Sequence, residues 1–123
     1  EIMRAALAVA DLAVLPCGPQ PMDAWALAET LAVVAEVQAL RRELVAVVLL
    51  TRVSRRTTLG ATAAKRSRAR AELGYRVAYA EAPALGRGVT MHAPHDPAAD
   101  EVRALVDELE NLTKPKGGRR RVT

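Results

Sequence analysis

Apolar residues along the chain alternate between short continuous runs and longer helical patterns. Two runs, DLAVL at residues 11–15 and VAVVLL at residues 45–50, are uninterrupted and bounded by polar or proline residues. Such runs are typical of strands buried on both faces of a parallel sheet. Between them, residues 24–44 repeat apolar side chains every three or four positions, which predicts an amphipathic helix with Asp23 as its N-cap.

The remaining patterns predict four further helices and one edge strand. The helices cover residues 2–9, a basic stretch from Thr57 or Thr58 to residue 73, residues 76–85 and residues 98–112, and the edge strand covers residues 89–92. Gly74 is placed to close the basic helix. Strands that alternate with helices predict an α/β fold. Because only three strands are readable, we expect a partial doubly wound, mostly parallel sheet flanked by helices.

The composition narrows the class of protein. The 123 residues correspond to one domain, and half of them are apolar, which excludes a fully disordered chain. A single cysteine, Cys17, excludes an internal disulfide and a multi-cysteine zinc site. Two Tyr, one Trp and no Phe are too few for a base-stacking nucleic-acid surface. Without an apolar run near the ~20 residues that cross a bilayer, and without a secretory signal, we expect a cytoplasmic protein with no membrane partner.

Positive charge is concentrated in two segments. Residues 114–123 carry five bases and no acid, which predicts a basic, disordered tail after a domain of residues 1–113. The net charge is +4, so the domain without these five bases carries −1. Residues 52–70 carry seven bases and no acid, which is compatible either with non-specific binding to DNA phosphates or with a solvated helix face. The candidate DNA-binding residues are Arg55, Arg56, Lys65, Arg66, Arg68 and Arg70.

No complete catalytic or metal site is recognisable from residue types and spacing. His92, His95 and Asp96 could ligate a metal, but prolines place them in a loop and no third type of ligand is evident nearby, so loop histidines are the preferred interpretation. Cys17 has no histidine base paired with it in the sequence. The sequence contains neither G-x-x-x-x-G-K-[ST] nor G-x-G-x-x-G, so it offers no usual phosphate-binding loop.

Four strings of the sequence resemble, in the same order, the C-terminal half of the ParA/MinD-type partition ATPases. They are AALAVADLAVLPCGPQPMDAWALAETL, VVLLTRV, RVAYAEAPALGRGV and HDPAADEVRALVDEL. Together they cover most of residues 5–112. The first string resembles the helix, strand and proline-rich loop that follow the family's aspartate-containing strand, and the order of the four is more specific than any one of them.

The resemblance implies a fold and a function. Residues 1–113 would form the C-terminal half of a P-loop NTPase-like α/β domain. The parent would dimerise around ATP and Mg²⁺, bind DNA without sequence specificity, and be stimulated by a centromere-binding ParB-like partner. Thr51 and Arg52 match the positions that approach the adenine. The alternative for these two residues is a strand-end threonine beside a surface arginine.

Two departures from the family pattern limit these expectations. The sequence lacks the part that carries the phosphate loop, the signature lysine and the magnesium-binding residues, so the chain alone is expected neither to hydrolyse ATP nor to hold it. A strand of the family pattern is also absent after Gly74, which weakens the adenine site. The alternative function is a non-enzymatic α/β interaction module that forms oligomers or pairs with and regulates a full-length relative. A chance match in an Ala- and Leu-rich composition is the third interpretation.

Overall fold

Seven helices and strands follow one another in the part of the chain that the structure describes. The structure is a computed structural model, and it describes residues 1–54 and 68–115. The elements are α1 (Ile2–Val9), β1 (Leu12–Cys17), α2 (Pro21–Leu40), β2 (Val45–Leu50), α3 (Ala78–Ala84), α4 (Val89–His92) and α5 (Pro97–Thr113).

The two apolar runs form the parallel pair that the sequence predicts. β1 and β2 are paired in parallel from Leu12 opposite Val45 to Cys17 opposite Leu50. The helix α2 connects them, because parallel neighbours need a long crossover. The prediction of an α/β fold with a parallel sheet is therefore confirmed, with two regular strands among the described residues.

β1 extends two residues beyond the predicted run and includes Pro16. The amides of Val45 and Thr51 donate to the carbonyls of Asp11 and Cys17 at 3.2 and 2.9 Å, so alternate positions from Asp11 to Cys17 face β2. Pro16 lies between these positions and faces the opposite edge. Its missing N–H therefore costs no hydrogen bond to β2, which explains why a strand tolerates it there.

One face of α2 packs against the sheet and forms the core. Leu27 and Val34, seven positions apart, are both buried and belong to two clusters of buried side chains. Leu27 packs with Cys17 and the fully buried Val48, whereas Val34 packs with residues of β1 and with Leu44. The apolar period of α2 thus places its buried side chains on the face that covers the sheet.

Residues 68–75 run beside β2 as an irregular third segment of the sheet. The amides of Ala69 and Leu73 donate to the carbonyls of Val48 and Leu50 at 2.8 and 2.9 Å. The basic helix predicted to end at residue 73 is therefore wrong for residues 68–73. The carbonyls of the buried strand β2 need partners, and residues 68–75 supply them.

A bulge interrupts this third segment, and a carboxylate of α5 compensates for it. Ala69 and Leu73 are four positions apart, but the β2 carbonyls to which their amides donate are only two positions apart. The extra residues form the bulge, and the amides of Arg70 and Ala71 do not reach the sheet. Both donate to the carboxylate of Glu108, at 2.7 and 2.8 Å. This contact fastens α5 to the edge of the sheet.

Two local predictions are corrected. Residues Val89–His92 form the single helical turn α4 and not an edge strand, since the amides of Met91 and His92 both donate to the carbonyl of Gly88. Asp23 is the third residue of α2 and not its N-cap, because the helix begins at Pro21 after Gln20. The Asp23 carboxylate still caps the helix by accepting from the amide of Gln20 at 3.0 Å.

The helix α2 ends at Leu40, four residues before the predicted end, and the next residue links α2 to α1. Nη1 of Arg41 donates to the carbonyls of Leu7, Ala8 and Ala10, at 3.0, 2.7 and 2.9 Å. A cation at these last carbonyls of α1 supplies hydrogen bonds that the helix itself cannot make.

The closing helix α5 is confirmed within one residue at each end of the predicted 98–112. Asp96 is its N-cap and accepts from the amide of Ala98 at 2.9 Å. Of the basic tail predicted over 114–123, residues 116–123 lie outside the described residues.

In the two ranges that the structure describes, no helix has the length and apolar character needed to cross a membrane.

Candidate functional site at the carboxyl edge of the sheet

The carboxyl ends of β1 and β2 and the end of the third segment meet at one edge. In open α/β sheets this edge is where ligands bind, because loops diverge there and leave a crevice. Gly18 follows β1, Thr51 and Arg52 follow β2, and Gly74 lies opposite Val53. The edge therefore collects residues from three separate parts of the sequence.

Arg52 has an unusual backbone at this edge. Its φ of +52° lies in the left-handed region, which is uncommon for a residue other than glycine and costs about 1 kcal/mol or more. Its side chain is 56% exposed, and Nη2 lies 3.5 Å from Oδ2 of Asp23 at the start of α2. Backbone strain of this kind recurs at ligand-binding sites, which makes Arg52 a candidate site residue.

Gly18 allows the loop after β1 to approach this ion pair. A Cβ added at Gly18 would lie 2.6 Å from Oδ2 of Asp23 and 3.2 Å from Cζ of Arg52. The neighbouring Cys17 is buried, and burial, then the charge of Asp23, raises the pKa of its thiol. Cys17 therefore has no activated thiolate and acts as a core residue.

A pocket of 380 Å³ opens beside Arg52, and we call it the edge pocket. Its surface is predominantly apolar. The lining residues come from the end of β2, the end of the third segment and the start of α3, and they are Arg52, Gly74, Tyr75, Arg76, Val77, Tyr79 and Ala80. Two aromatic rings, aliphatic side chains and two guanidinium groups suit a flat, mainly apolar ligand with polar edges.

Glu101 of α5 holds one side of the edge pocket. Its carboxylate accepts from the amide of Gly74 at 3.0 Å, from Nε and Nη2 of Arg76 at 3.0 and 2.9 Å, and from the hydroxyl of Tyr79 at 2.7 Å. Burial works to raise the pKa of Glu101, but these hydrogen bonds outweigh it and lower the pKa below its ordinary 4.5. Burial and the Glu101 carboxylate together raise the pKa of Tyr79.

Both guanidinium groups of the edge pocket therefore have a carboxylate partner. Arg52 pairs with Asp23, and Arg76 pairs with Glu101, whose side chain is only 18% exposed. Paired cations attract an anionic ligand less than free ones do. The chemistry of the edge pocket favours an uncharged planar ring over a phosphate group.

Of the two residues predicted to contact adenine, one lines the edge pocket and the other does not. Arg52 lines the edge pocket. Thr51 is not among the lining residues, and its amide extends the β1–β2 ladder by donating to Cys17 at 2.9 Å. Sequence reasoning missed Arg76, Tyr79 and Glu101 as members of the site, although all three lie within strings that carried the resemblance.

Two of the six candidate DNA-binding residues are described by the structure. Arg68 and Arg70 lie on the irregular sheet segment and not on a helix face. Arg68 forms an ion pair with Glu72, whereas Arg70 lines a separate groove of 590 Å³ beside Glu108 and the end of α5. Arg55, Arg56, Lys65 and Arg66 lie outside the described residues.

The histidine pair does not gather a ligand cluster. Nε2 of His92 lies 3.3 Å from Oε2 of Glu81, while His95 is exposed on the loop before α5. Across residues 1–54 and 68–115, no three His, Cys, Asp or Glu side chains converge as a metal site.

Comparison with known proteins does not assign the chain to a family. No protein-family model matches this sequence, and no curated protein matches it. Function has to be inferred from the chemistry of the site, because an α/β architecture alone is compatible with many activities.

Proposed function

We propose that this chain is part of a ParA-like DNA partition ATPase, in which the edge pocket receives the adenine base of the nucleotide. The observation that carries the proposal is the position of the edge pocket. It lies at the carboxyl end of β2 and is lined by Arg52, a residue that the family resemblance independently places near the base. The ordered resemblance over residues 5–112 supplies the second support.

The chemistry of the described residues supports a site for the base of ATP rather than for its phosphates or Mg²⁺. The edge pocket is mainly apolar and its guanidinium groups are paired. The sequence has no phosphate loop, and the described residues offer no cluster of metal ligands. The stabilisation that phosphoryl transfer needs would come from a segment carrying the phosphate loop and magnesium ligands.

A chain that supplies the adenine site without the phosphate and magnesium sites should bind the adenine base only weakly. Compared with the family that the chain resembles, a strand is missing after Gly74, which implies a deficient adenine site. In the structure, residues 68–75 occupy the edge of β2, and the segment that follows forms the wall of the edge pocket. From the sequence alone we expect no nucleotide to be held, but the edge pocket changes this expectation for the base. We therefore expect the isolated chain to bind adenosine weakly, without the contribution of phosphate contacts.

Calorimetric titration of the 123-residue chain with adenosine and with ADP tests this part of the proposal. The affinities for the two ligands should agree within about threefold, a difference below 1 kcal/mol. Arg52→Gln should weaken both, while Arg42→Gln, an equal charge change at an exposed residue two positions beyond α2, should weaken neither. Absence of adenosine binding, or ADP binding far more tightly than adenosine, contradicts the proposal.

The proposed parent also binds duplex DNA without sequence specificity. The six candidate residues contribute positive charge, and the two that are described, Arg68 and Arg70, are both exposed. Contacts with DNA phosphates release counterions, so the logarithm of the affinity should fall by about 0.9 per contact for each tenfold increase in salt. The parent would dimerise around ATP and respond to a centromere-binding ParB-like protein.

Fluorescence anisotropy with a short duplex, measured over a range of salt concentrations, tests DNA binding. Arg55→Ala with Arg56→Ala should weaken binding and reduce the salt dependence. Arg42→Ala with Arg87→Ala removes the same charge from two other exposed positions and serves as the matched control. Affinity that does not change with salt excludes the role.

A second candidate function is a non-enzymatic interaction module. It is favoured by apolar side chains that the described residues leave uncovered on α1 and at the end of α2: Ile2, Val9 and Leu40 are 88%, 81% and 91% exposed. Such a surface suits pairing with another copy or with a full-length relative. Sedimentation over a range of concentrations separates this function from the first, because a monomer that binds no relative argues against a module.

A further inference from the structure

One carboxylate organises three residues of the edge pocket without lining it. Oε1 of Glu101 accepts both hydrogen bonds from Arg76, and Oε2 accepts from the amide of Gly74 and the hydroxyl of Tyr79. Gly74, Arg76 and Tyr79 all line the edge pocket. Both oxygens of Glu101 therefore accept hydrogen bonds from one wall of the edge pocket, the wall that Gly74, Arg76 and Tyr79 form.

We propose that Glu101 is the positioning residue of the edge pocket, which holds Arg76 and Tyr79 in the orientation that receives a ligand. The inference rests on the proposed function for the nature of that ligand, an adenine base. Its structural part, the control of the wall by Glu101, is separate and can be measured without any ligand.

The comparison with Glu108 distinguishes this role from simple packing. Glu108 lies seven positions later on α5, so the two carboxylates project from the same side of the helix. Among the described residues, Glu108 accepts only from the backbone amides of Arg70 and Ala71, and these residues do not line the edge pocket. One carboxylate of α5 secures the bulge of the sheet, and the other orients side chains of the pocket.

A glutamine at position 101 cannot replace the carboxylate. The carboxylate presents two acceptor oxygens, whereas an amide presents one oxygen and one NH₂ donor. In one orientation the NH₂ group of the amide would face the guanidinium of Arg76, and in the other it would face the amide of Gly74. Both of these groups are donors only, whereas the Tyr79 hydroxyl can also accept and can donate to the carbonyl of Ala98, 3.2 Å away. Glu101→Gln therefore leaves one part of the wall unrestrained while keeping the size of the side chain.

The titration of Tyr79 tests the control of the wall directly. The chain has two tyrosines, so a Tyr75→Phe background isolates the ultraviolet absorption of the Tyr79 phenolate. In that background, Glu101→Gln should lower the pKa of Tyr79 towards its ordinary 10.0, because the hydrogen bond to Glu101 and the Glu101 charge are lost while burial remains. Glu108→Gln and the exposed Glu110→Gln should leave it unchanged.

Calorimetry with adenosine tests the effect on the ligand. Glu101→Gln should weaken binding about tenfold, the loss expected from one charge-assisted hydrogen bond of the wall. Glu108→Gln should lower the melting temperature without changing the affinity. If Glu101→Gln does not fold, Arg76→Gln removes the other partner of the pair at a more exposed position and should weaken binding similarly.

The outcomes separate the inference from the proposed function. An unchanged Tyr79 titration in Glu101→Gln, or equal losses of affinity in Glu101→Gln and Glu108→Gln, overturns the positioning role. If the wild-type chain binds no adenosine but the Tyr79 titration shifts as expected, the adenine assignment fails and control of the wall by Glu101 stands.

Discussion

Replacing Arg41 should remove the main polar link between α1 and the end of α2. Nη1 of Arg41 donates to the carbonyls of Leu7, Ala8 and Ala10, and Nε donates to Glu43 at 3.1 Å. The Arg41 side chain is only 23% exposed, so water replaces these hydrogen bonds incompletely in Arg41→Ala. The C-terminal end of α1 would also lose a cation that interacts favourably with the helix dipole.

The structure gives the approximate size of the effect. One nitrogen has two hydrogens, so it satisfies about two of the three carbonyls at a time, and each charge-assisted hydrogen bond is worth about 1.5 kcal/mol at the lower end of its range. Water can partly hydrate the exposed Ala8 carbonyl, which reduces the sum. We expect Arg41→Ala to lower the free energy of unfolding by about 2 kcal/mol and the melting temperature by about 8 °C.

Urea unfolding followed by circular dichroism measures this loss. Arg42→Ala is the matched control, because Arg42 is exposed and its side chain makes no hydrogen bond or ion pair with the described residues. It should change the free energy of unfolding by less than about 0.5 kcal/mol. Arg41→Lys should give an intermediate value. Equal losses in Arg41→Ala and Arg42→Ala would show that the carbonyl contacts do not stabilise α1.

Three further predictions concern the edge pocket and the core. Gly18→Ala should displace Arg52, because the added Cβ meets its guanidinium; calorimetry should show weaker adenosine binding, and unfolding should show a stability change within about 0.5 kcal/mol, since the exposed ion pair contributes little. Val48→Ala removes two methyl groups from a fully buried site and should cost about 2 kcal/mol in urea unfolding, whereas Val9→Ala, at an exposed position, should cost almost nothing. Because the pKa of Glu101 is lowered from 4.5, its contribution is present above that pH and lost as the pH falls below it. The stability difference between wild type and Glu101→Gln should therefore shrink in acid unfolding, and a difference independent of pH would contradict the role of the charge.

The elements that the sequence predicts well are those whose pattern is local. The runs at 11–15 and 45–50 are continuous and apolar, and a short apolar run bounded by polar or proline residues predicts a buried strand from its own residues. These runs form the parallel pair. The helix α5 carries an amphipathic period together with a capping Asp96 and Pro97. These features are decided within a few neighbouring positions of the chain.

The features that the sequence could not predict depend on distant partners. Residues 68–75 are irregular because their amides have partners on two sides. Two amides donate to the carbonyls of Val48 and Leu50 in β2, and two others donate to the carboxylate of Glu108 in α5. The pattern of the basic run around Arg68 predicts neither of these contacts. The short segment Val89–His92 has β-branched residues, yet its amides form hydrogen bonds within a single helical turn.

The site was only partly predictable for the same reason. Arg52 could be chosen, because it follows a recognisable strand in a string that resembles a family motif. Arg76 and Glu101 are separated by 25 positions and meet through the packing of α5. A sequence pattern specifies neither that contact nor the resulting neutralisation of Arg76.

The central claim is that the carboxyl edge of the sheet binds an adenine base beside Arg52. Amide chemical shifts of the ¹⁵N-labelled chain, followed during a titration with adenosine, test this claim most directly because they report each residue separately. The largest shifts should cluster on Arg52 and on residues 74–80, with no comparable change at Asn111 and Leu112 of the separate groove. Shifts centred on that groove, or no saturable shift at Arg52, would contradict it.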